Sequence, residues 1–459
     1  MSWFERIWVG LIVLMAVPLW SQVNNAPQSG AGTLGPDSST SNDDRMATPP
    51  PVSGQTYPTA TASEERSNYL RGGIAFTSAY TDNALGAVSN HPVSDISYSV
   101  APMIALDERT SRLHWMLSYA PGFTFYQRES SRSEADQNAA IDFQYRLSPH
   151  VTFSARDTFQ KSSNVFNQPN LSSAEAVSGS ATGANFSIIA PVADRLANFG
   201  SVGLNYQFSR NGMIGASGTF SNLHYPNPAE VPGLYDSSSQ GGSAFYSLRI
   251  SKMHYIGATY QYQRLVSYPT QGLEETQTHA LLFFYTLYPT SRFSISFFGG
   301  PQHSDTIQPP LPPLNLQLPE ARAWTPEAGA SLSWQGRLSS LAVSYSHAVS
   351  SGGGLSGAVQ MDSASASVRQ QLTKTLSASL AGVYAQNNVL SSSLAGSSSG
   401  HTVSGTASLQ QQFGQHLNLQ LGYTRLHQTY SNVAIISLTP DTNREFVSLS
   451  YQFSRPLGR

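Results

Sequence analysis

The residues in this chain whose types could do chemistry are few and scattered. Asp142 and Arg146 stand two same-face positions apart on an extended segment, and Arg156 follows beyond the short Leu147-Ser148-Pro149 connection. A register setting position 142 opposite 156 would place a carboxylate beside a guanidinium, an arrangement for ion pairing rather than proton transfer. Arg249 and Arg369 each precede a short turn, so with Arg146 they would form part of a basic ring at one mouth of a closed sheet, weakly favouring anions. The 11 histidines are dispersed, with none four residues apart as on a metal-binding helix, and no Gly-x-Ser-x-Gly elbow occurs. His427 and Ser431 are close in sequence, but no third group completes a catalytic set. No metal, cofactor or catalytic activity is therefore expected.

These residues must be positioned by a chain of unusual composition. Only 11% of its 459 residues are charged, less than half the share typical of soluble domains. The 25 basic and 27 acidic residues form no basic stripe, which argues against nucleic acid as a partner. Cysteine is absent, which excludes disulfides, thiolate metal sites and a lipid-modified N-terminal cysteine.

The N-terminus carries an export signal. A short polar head, Met1 to Arg6, precedes the apolar run Ile7 to Trp20, which is too short to span a bilayer comfortably. Residues 1–22 are thus expected to be a signal peptide, with an uncleaved anchor as the alternative. Residues 23–68 are rich in Ser, Pro, Thr, Asn and Gly, include Pro49-Pro50-Pro51, and read as a disordered periplasmic leader.

From Tyr69 to the end, short segments alternate apolar and small polar residues with a period of two, as in Val202-Leu204-Tyr206-Phe208 and Leu417-Leu419-Leu421-Tyr423. Eight tight turns punctuate them, near residues 107–110, 147–149, 209–212, 251–253, 288–291, 335–337, 372–374 and 413–415. The connections between successive turns are long and polar, as at Lys161 to Asn198, Leu223 to Gln240 and Pro301 to Ala323. Short turns on one side and long loops on the other predict an all-β fold: a transmembrane antiparallel β-barrel of about 18 strands (16–18) over residues 69–459, both ends periplasmic. A soluble multi-sheet protein would share the alternation, but not the small polar set that here would have to fill its interior.

The inner face is expected to carry Ser154, Ser217, Thr219, Gln261, Ser331, Ser333, Ser344, Ser365, Ser379, Ser404, Thr406 and Gln420, a neutral hydrogen-bonding lining. Tyr119, Phe125, Tyr262, Phe293, Tyr345 and Tyr384 lie near strand ends, where aromatic girdles contact outer-membrane lipid. Four aromatics, Tyr126, Phe245, Phe284 and Phe298, break the small-polar rule and should point inward. They resemble in type the aromatic track of maltose-type porins, but their spacing suits contact with a folded-in loop better. In the longest loop, Phe186-Ser187-Ile188-Ile189-Ala190 is the best candidate for such a segment; the Pro309 to Pro313 stretch should be stiff.

Arg444 to Phe453 resembles the C-terminal signal of bacterial outer-membrane proteins, with Val447, Leu449, Tyr451 and the final aromatic Phe453 in alternation. That resemblance implies the barrel-assembly machinery as a partner and the Gram-negative outer membrane as location. The tail Ser454 to Arg459 departs from the pattern. In general texture the chain also resembles porin-like barrels linked with exopolysaccharide export. A channel for small neutral solutes such as saccharides is the expected function. A structural or adhesive barrel working through its loops, or an outer-membrane hydrolase, remains as an alternative.

Overall fold

A computed structural model describes residues 68–456, apart from 85–91, 131–132, 163–186, 189–193, 270–271, 291, 309–319, 391–398, 432 and 434–440. The expected signal peptide, almost all of the expected leader, Phe186, Ile189, Ala190 and the Pro309 to Pro313 stretch lie outside the described residues.

The first six strands are β1 (Tyr69–Thr81), β2 (Asp95–Arg109), β3 (Leu113–Tyr126), β4 (Glu134–Arg146), β5 (Val151–Ser162) and β6 (Arg195–Tyr206). There follow β7 (Gly212–His224), β8 (Ser237–Arg249), β9 (His254–Ser267), β10 (Glu274–Thr290), β11 (Phe293–Ile307) and β12 (Ala321–Gln335). The last six are β13 (Ser339–Ser351), β14 (Ala358–Gln371), β15 (Leu376–Val389), β16 (Ser399–Phe413), β17 (Leu417–Tyr430) and β18 (Asp441–Pro456). Each pairs antiparallel with its sequence neighbours, and β1 also pairs with β18, so the 18-stranded sheet closes on itself. Closure leaves no exposed edge.

The turn side is built from one local device. Thr110, Ser148, Ser209, Ser251, Thr290 and Thr373 each accept a backbone N–H two or three residues on through the side-chain hydroxyl. Such Ser/Thr turns fold from a handful of residues and fix the register of the flanking strands. All eight sequence-expected turns lie at this end. The long connections are shorter than expected, because β7 runs to His224, β11 to Ile307, and β12 starts at Ala321. Pro301 therefore sits inside β11, facing Pro326 across the ladder.

Parity along every strand is inverted relative to a soluble barrel. Ile104, Leu117, Val202, Phe283 and Leu380 point outward and are exposed, while Ser217, Ser243 and Ser365 point inward. The outer apolar face is ringed by two aromatic belts. On the turn side the Phe143 ring neighbours Tyr145 and Phe153, and the Phe208 ring neighbours Tyr206 and Tyr246. On the loop side Tyr262 meets His279, His303 meets Trp324, and Tyr384 meets His401. Such belts mark the two membrane–water boundaries.

The tail beyond Phe453 belongs to the barrel: Ser454, Arg455 and Pro456 continue β18 opposite Arg71, Leu70 and Tyr69. Val447, Leu449, Tyr451 and Phe453 all project outward and are exposed.

Candidate functional site

Small uncharged polar groups dominate the inner wall, and several bond one another. Cross-strand hydroxyls bond in pairs: Ser217 with Ser243 at 2.8 Å, Ser344 with Ser365 at 2.7 Å, and Ser379 with Ser408 at 2.7 Å. Every small polar residue assigned to this face by sequence parity lies on it. An exterior of large apolar groups around a hydroxyl-lined interior is what a bilayer demands. The chain is a membrane-spanning barrel of the outer-membrane type.

The charged groups of the wall gather less than expected. Asp142 stands opposite Arg156 in the β4–β5 register, yet no ion pair joins them. Side chains at one register position diverge freely when both end in solvent, and Arg156 is exposed. Arg146, Arg249 and Arg369 all lie at the turn-side mouth, but Arg249 is bound back onto its own rim. Its guanidinium donates to Arg210 O at 2.8 Å and Asn211 Oδ1 at 3.1 Å. Sequence reading missed Arg71 at the same mouth, which pairs with Asp107 at 3.0 Å. The ring is therefore partly neutralised.

The inward aromatics are flattened onto the wall instead of forming an open track. Phe245 faces Gly215, Phe284 faces Gly257, and Phe298 faces Gly329. A Cβ on those glycines would fall 2.2, 2.3 and 2.4 Å from the respective rings. Phe284 and Phe298 also face each other, so four strands carry the row Gly257, Phe284, Phe298, Gly329. The ring of each phenylalanine takes the space a cross-strand side chain would have used. The expected loop contact is thus replaced by contact with glycine. Tyr126 points inward near the loop side, close to Arg444, whose guanidinium also lies over Phe446.

At the loop-side mouth, described residues of several loops and of the wall pack into an apolar cluster. Ile188 of the longest loop, Tyr225, Val231 and Leu234 of the β7–β8 loop, Leu355 of the β13–β14 loop and Val433 pack with wall residues Leu223, Val359, Met361 and Tyr430. Asn387, fully buried on β15, donates to Ser187 Oγ at 2.8 Å and to Tyr430 Oη at 2.6 Å. Arg195 reaches Ile188 O at 3.1 Å. The expected folded-in segment is thus borne out at Ser187 and Ile188, its two described residues. Burial within this cluster pushes the Tyr225 hydroxyl up to about 12. The other members were not foreseen from sequence. A usable signal was the run Ser351-Gly352-Gly353-Gly354-Leu355-Ser356-Gly357, where one large apolar residue sits in an otherwise small loop.

No protein-family model matches the chain, and no curated protein matches it by sequence. Among solved structures, it is similar to OccAB4 of Acinetobacter baumannii, with 9% identity, 85% of this chain and 98% of that chain covered, and a TM-score of 0.41. A BenF-like porin from Pseudomonas fluorescens Pf-5 shares 8% identity over 84% of this chain and 99% of its own, with a TM-score of 0.43. The ferric citrate transporter FecA shares 10% identity with a TM-score of 0.42; the match covers 80% of this chain but 60% of that transporter's length.

Proposed function

We propose that this barrel is an outer-membrane channel for small, uncharged polar solutes, saccharides foremost, passing passively or with weak selectivity. The observation that carries the reading is the inner wall, where paired hydroxyls outnumber the scattered charged groups and offer hydrogen bonds to an uncharged solute. Barrels of about 18 strands enclose enough width for an aqueous path. Arg156, Arg369 and Ser379 project into that interior and are exposed. Outward passage of a neutral polysaccharide would use the same lining.

The test is single-channel conductance of the refolded full-length protein in planar bilayers, with and without neutral oligosaccharides. Stable steps with sugar-dependent block are expected. An inserted barrel that stays silent under every condition overturns the reading. The apolar cluster over the mouth favours, in that event, a structural or adhesive barrel acting through its loops.

A further inference from the structure

β12 and β13 separate part-way up the barrel wall. Their ladder runs from Gln335↔Ser340 to Ala328↔His347 and ends there, although β12 begins at Ala321 and β13 continues to Ser351. The β13–β14 ladder continues unbroken to Ser351↔Ala358. The upper hairpin therefore leaves the wall as one unit. Pro326 supplies the local reason: it has no N–H to donate, and Val349 is the residue that would face it if the ladder went on.

Val349 donates its N–H instead to Gln302 Oε1 on β11, at 3.3 Å. Further along, Gly357 N–H donates to Ser267 Oγ of β9 at 2.9 Å, and Ser356 Oγ donates to the Glu274 carboxylate of β10 at 3.0 Å. Gly354 O accepts the Tyr235 N–H at 2.7 Å. The hairpin thus crosses the inside of the barrel, and β13 and β14 touch β8 and β9, at least four strands away around the wall.

Glu327 lies at the fork. It is 1% exposed, and neither carboxylate oxygen has a hydrogen-bond partner. Thr325, the next inward residue on the same strand, also has an enclosed and unpartnered hydroxyl. Gly300 faces Glu327 from β11, with the Leu282 backbone beside it, and Ala348 begins the departing part of β13. Among the described residues, the charged groups of the nearby strands lie elsewhere. His303, Asp305, His347 and Asp362 are on the outer face, and Glu274 is at the loop-side end. Enclosing this carboxyl costs free energy whether it stays charged without a counter-ion or takes up a proton to avoid that state. Water would return that cost once the hairpin moved away.

We propose that the upper β13–β14 hairpin is the gate of this barrel and that Glu327 is the residue biasing it toward opening. Withdrawal would extend the β12–β13 register, bringing Ala348 beside Glu327 and Ser350 beside Thr325, and would turn both polar groups into a widened lumen. The gate rests on the channel reading above and regulates that path.

The chain has no cysteine, so Ser350→Cys, at a fully enclosed position, reports withdrawal through its rate of labelling by a water-soluble maleimide. Labelling in liposomes and open probability in planar bilayers are measured for the full-length protein with Ser350→Cys alone, and then combined with Glu327→Met, Glu327→Asp or Thr325→Val. Glu327→Met should lower both readouts about tenfold, Thr325→Val should lower both by less, and Glu327→Asp should keep them near the starting values. Unchanged labelling and gating in folded Glu327→Met overturns the gate, while conductance of the parent still upholds the channel. Labelling that depends on Glu327 without conductance in any variant supports the hairpin motion and overturns the channel instead.

Discussion

Phe453 covers Gly72. The two residues face each other across the ladder that closes the barrel, and a Cβ on Gly72 would fall 2.4 Å from Phe453 Cζ. The aromatic that resembles an assembly signal is therefore also the outer-face cover of the closing seam. Gly72→Ala should force the ring aside and destabilise the refolded barrel by about 1–3 kcal/mol. The measurement is the urea midpoint; an unshifted midpoint would show that the ring is not held over the glycine.

Ile141 and Ala140 are adjacent on β4 and point to opposite faces, the first exposed to lipid. Ile141→Arg should cost about 2–4 kcal/mol in bilayer-embedded stability. Ala140→Arg, inside the wet lumen, should cost under about 1 kcal/mol. Similar losses for both, measured by reversible unfolding from vesicles, would contradict the assigned faces.

Asp142 and Arg156 are register partners without an ion pair. A double-mutant cycle with Asp142→Asn and Arg156→Gln should be additive within about 0.3–0.5 kcal/mol. A coupling well beyond that range would mean that the two side chains close on each other in the membrane.

Asn387 ties the longest loop to the wall through Ser187. Asn387→Ala removes that bond while the Tyr430 hydroxyl keeps Thr402 and Ser187, which should loosen the segment by about 0.5–1.5 kcal/mol. Limited proteolysis near Ile188 should speed up, while the barrel resists cleavage as before. An unchanged cleavage rate would place the anchor elsewhere in the cluster.

Tyr225 links packing of the loop-side cluster to alkaline pH. Its hydroxyl is raised from 10.0 to about 12, chiefly by burial, so the closed cluster keeps its proton where the opened chain has lost it. The associated stability is fully present below about pH 10 and is lost as pH rises through about 12. Tyr225→Phe should abolish this alkaline loosening, read by proteolysis of the loops at pH 9 and at pH 12. The same pH response in both proteins would exclude Tyr225 as its source.

Much of this architecture is written in short stretches of sequence. The period-two alternation fixes which side chains share a face, so the inward parity of Ser217, Gln261 and Thr406 could be read without coordinates. Ser and Thr turns set register over a few residues, so the pairing of Asp142 with Arg156 could be anticipated as well. What lay beyond reach depends on residues far apart in the chain. Phe284 and Phe298 look like a pore lining until the register supplies Gly257 and Gly329 as their neighbours. The apolar patch around Ile188 could be read as a folded-in segment, but its partners Tyr225 and Leu355 sit in two other loops, and only closure of the barrel brings the three together. Glu327 is one carboxylate among many on a wet face by parity alone. Its enclosure is decided by a hairpin that leaves the wall beside Pro326, a tertiary event that local propensity does not encode.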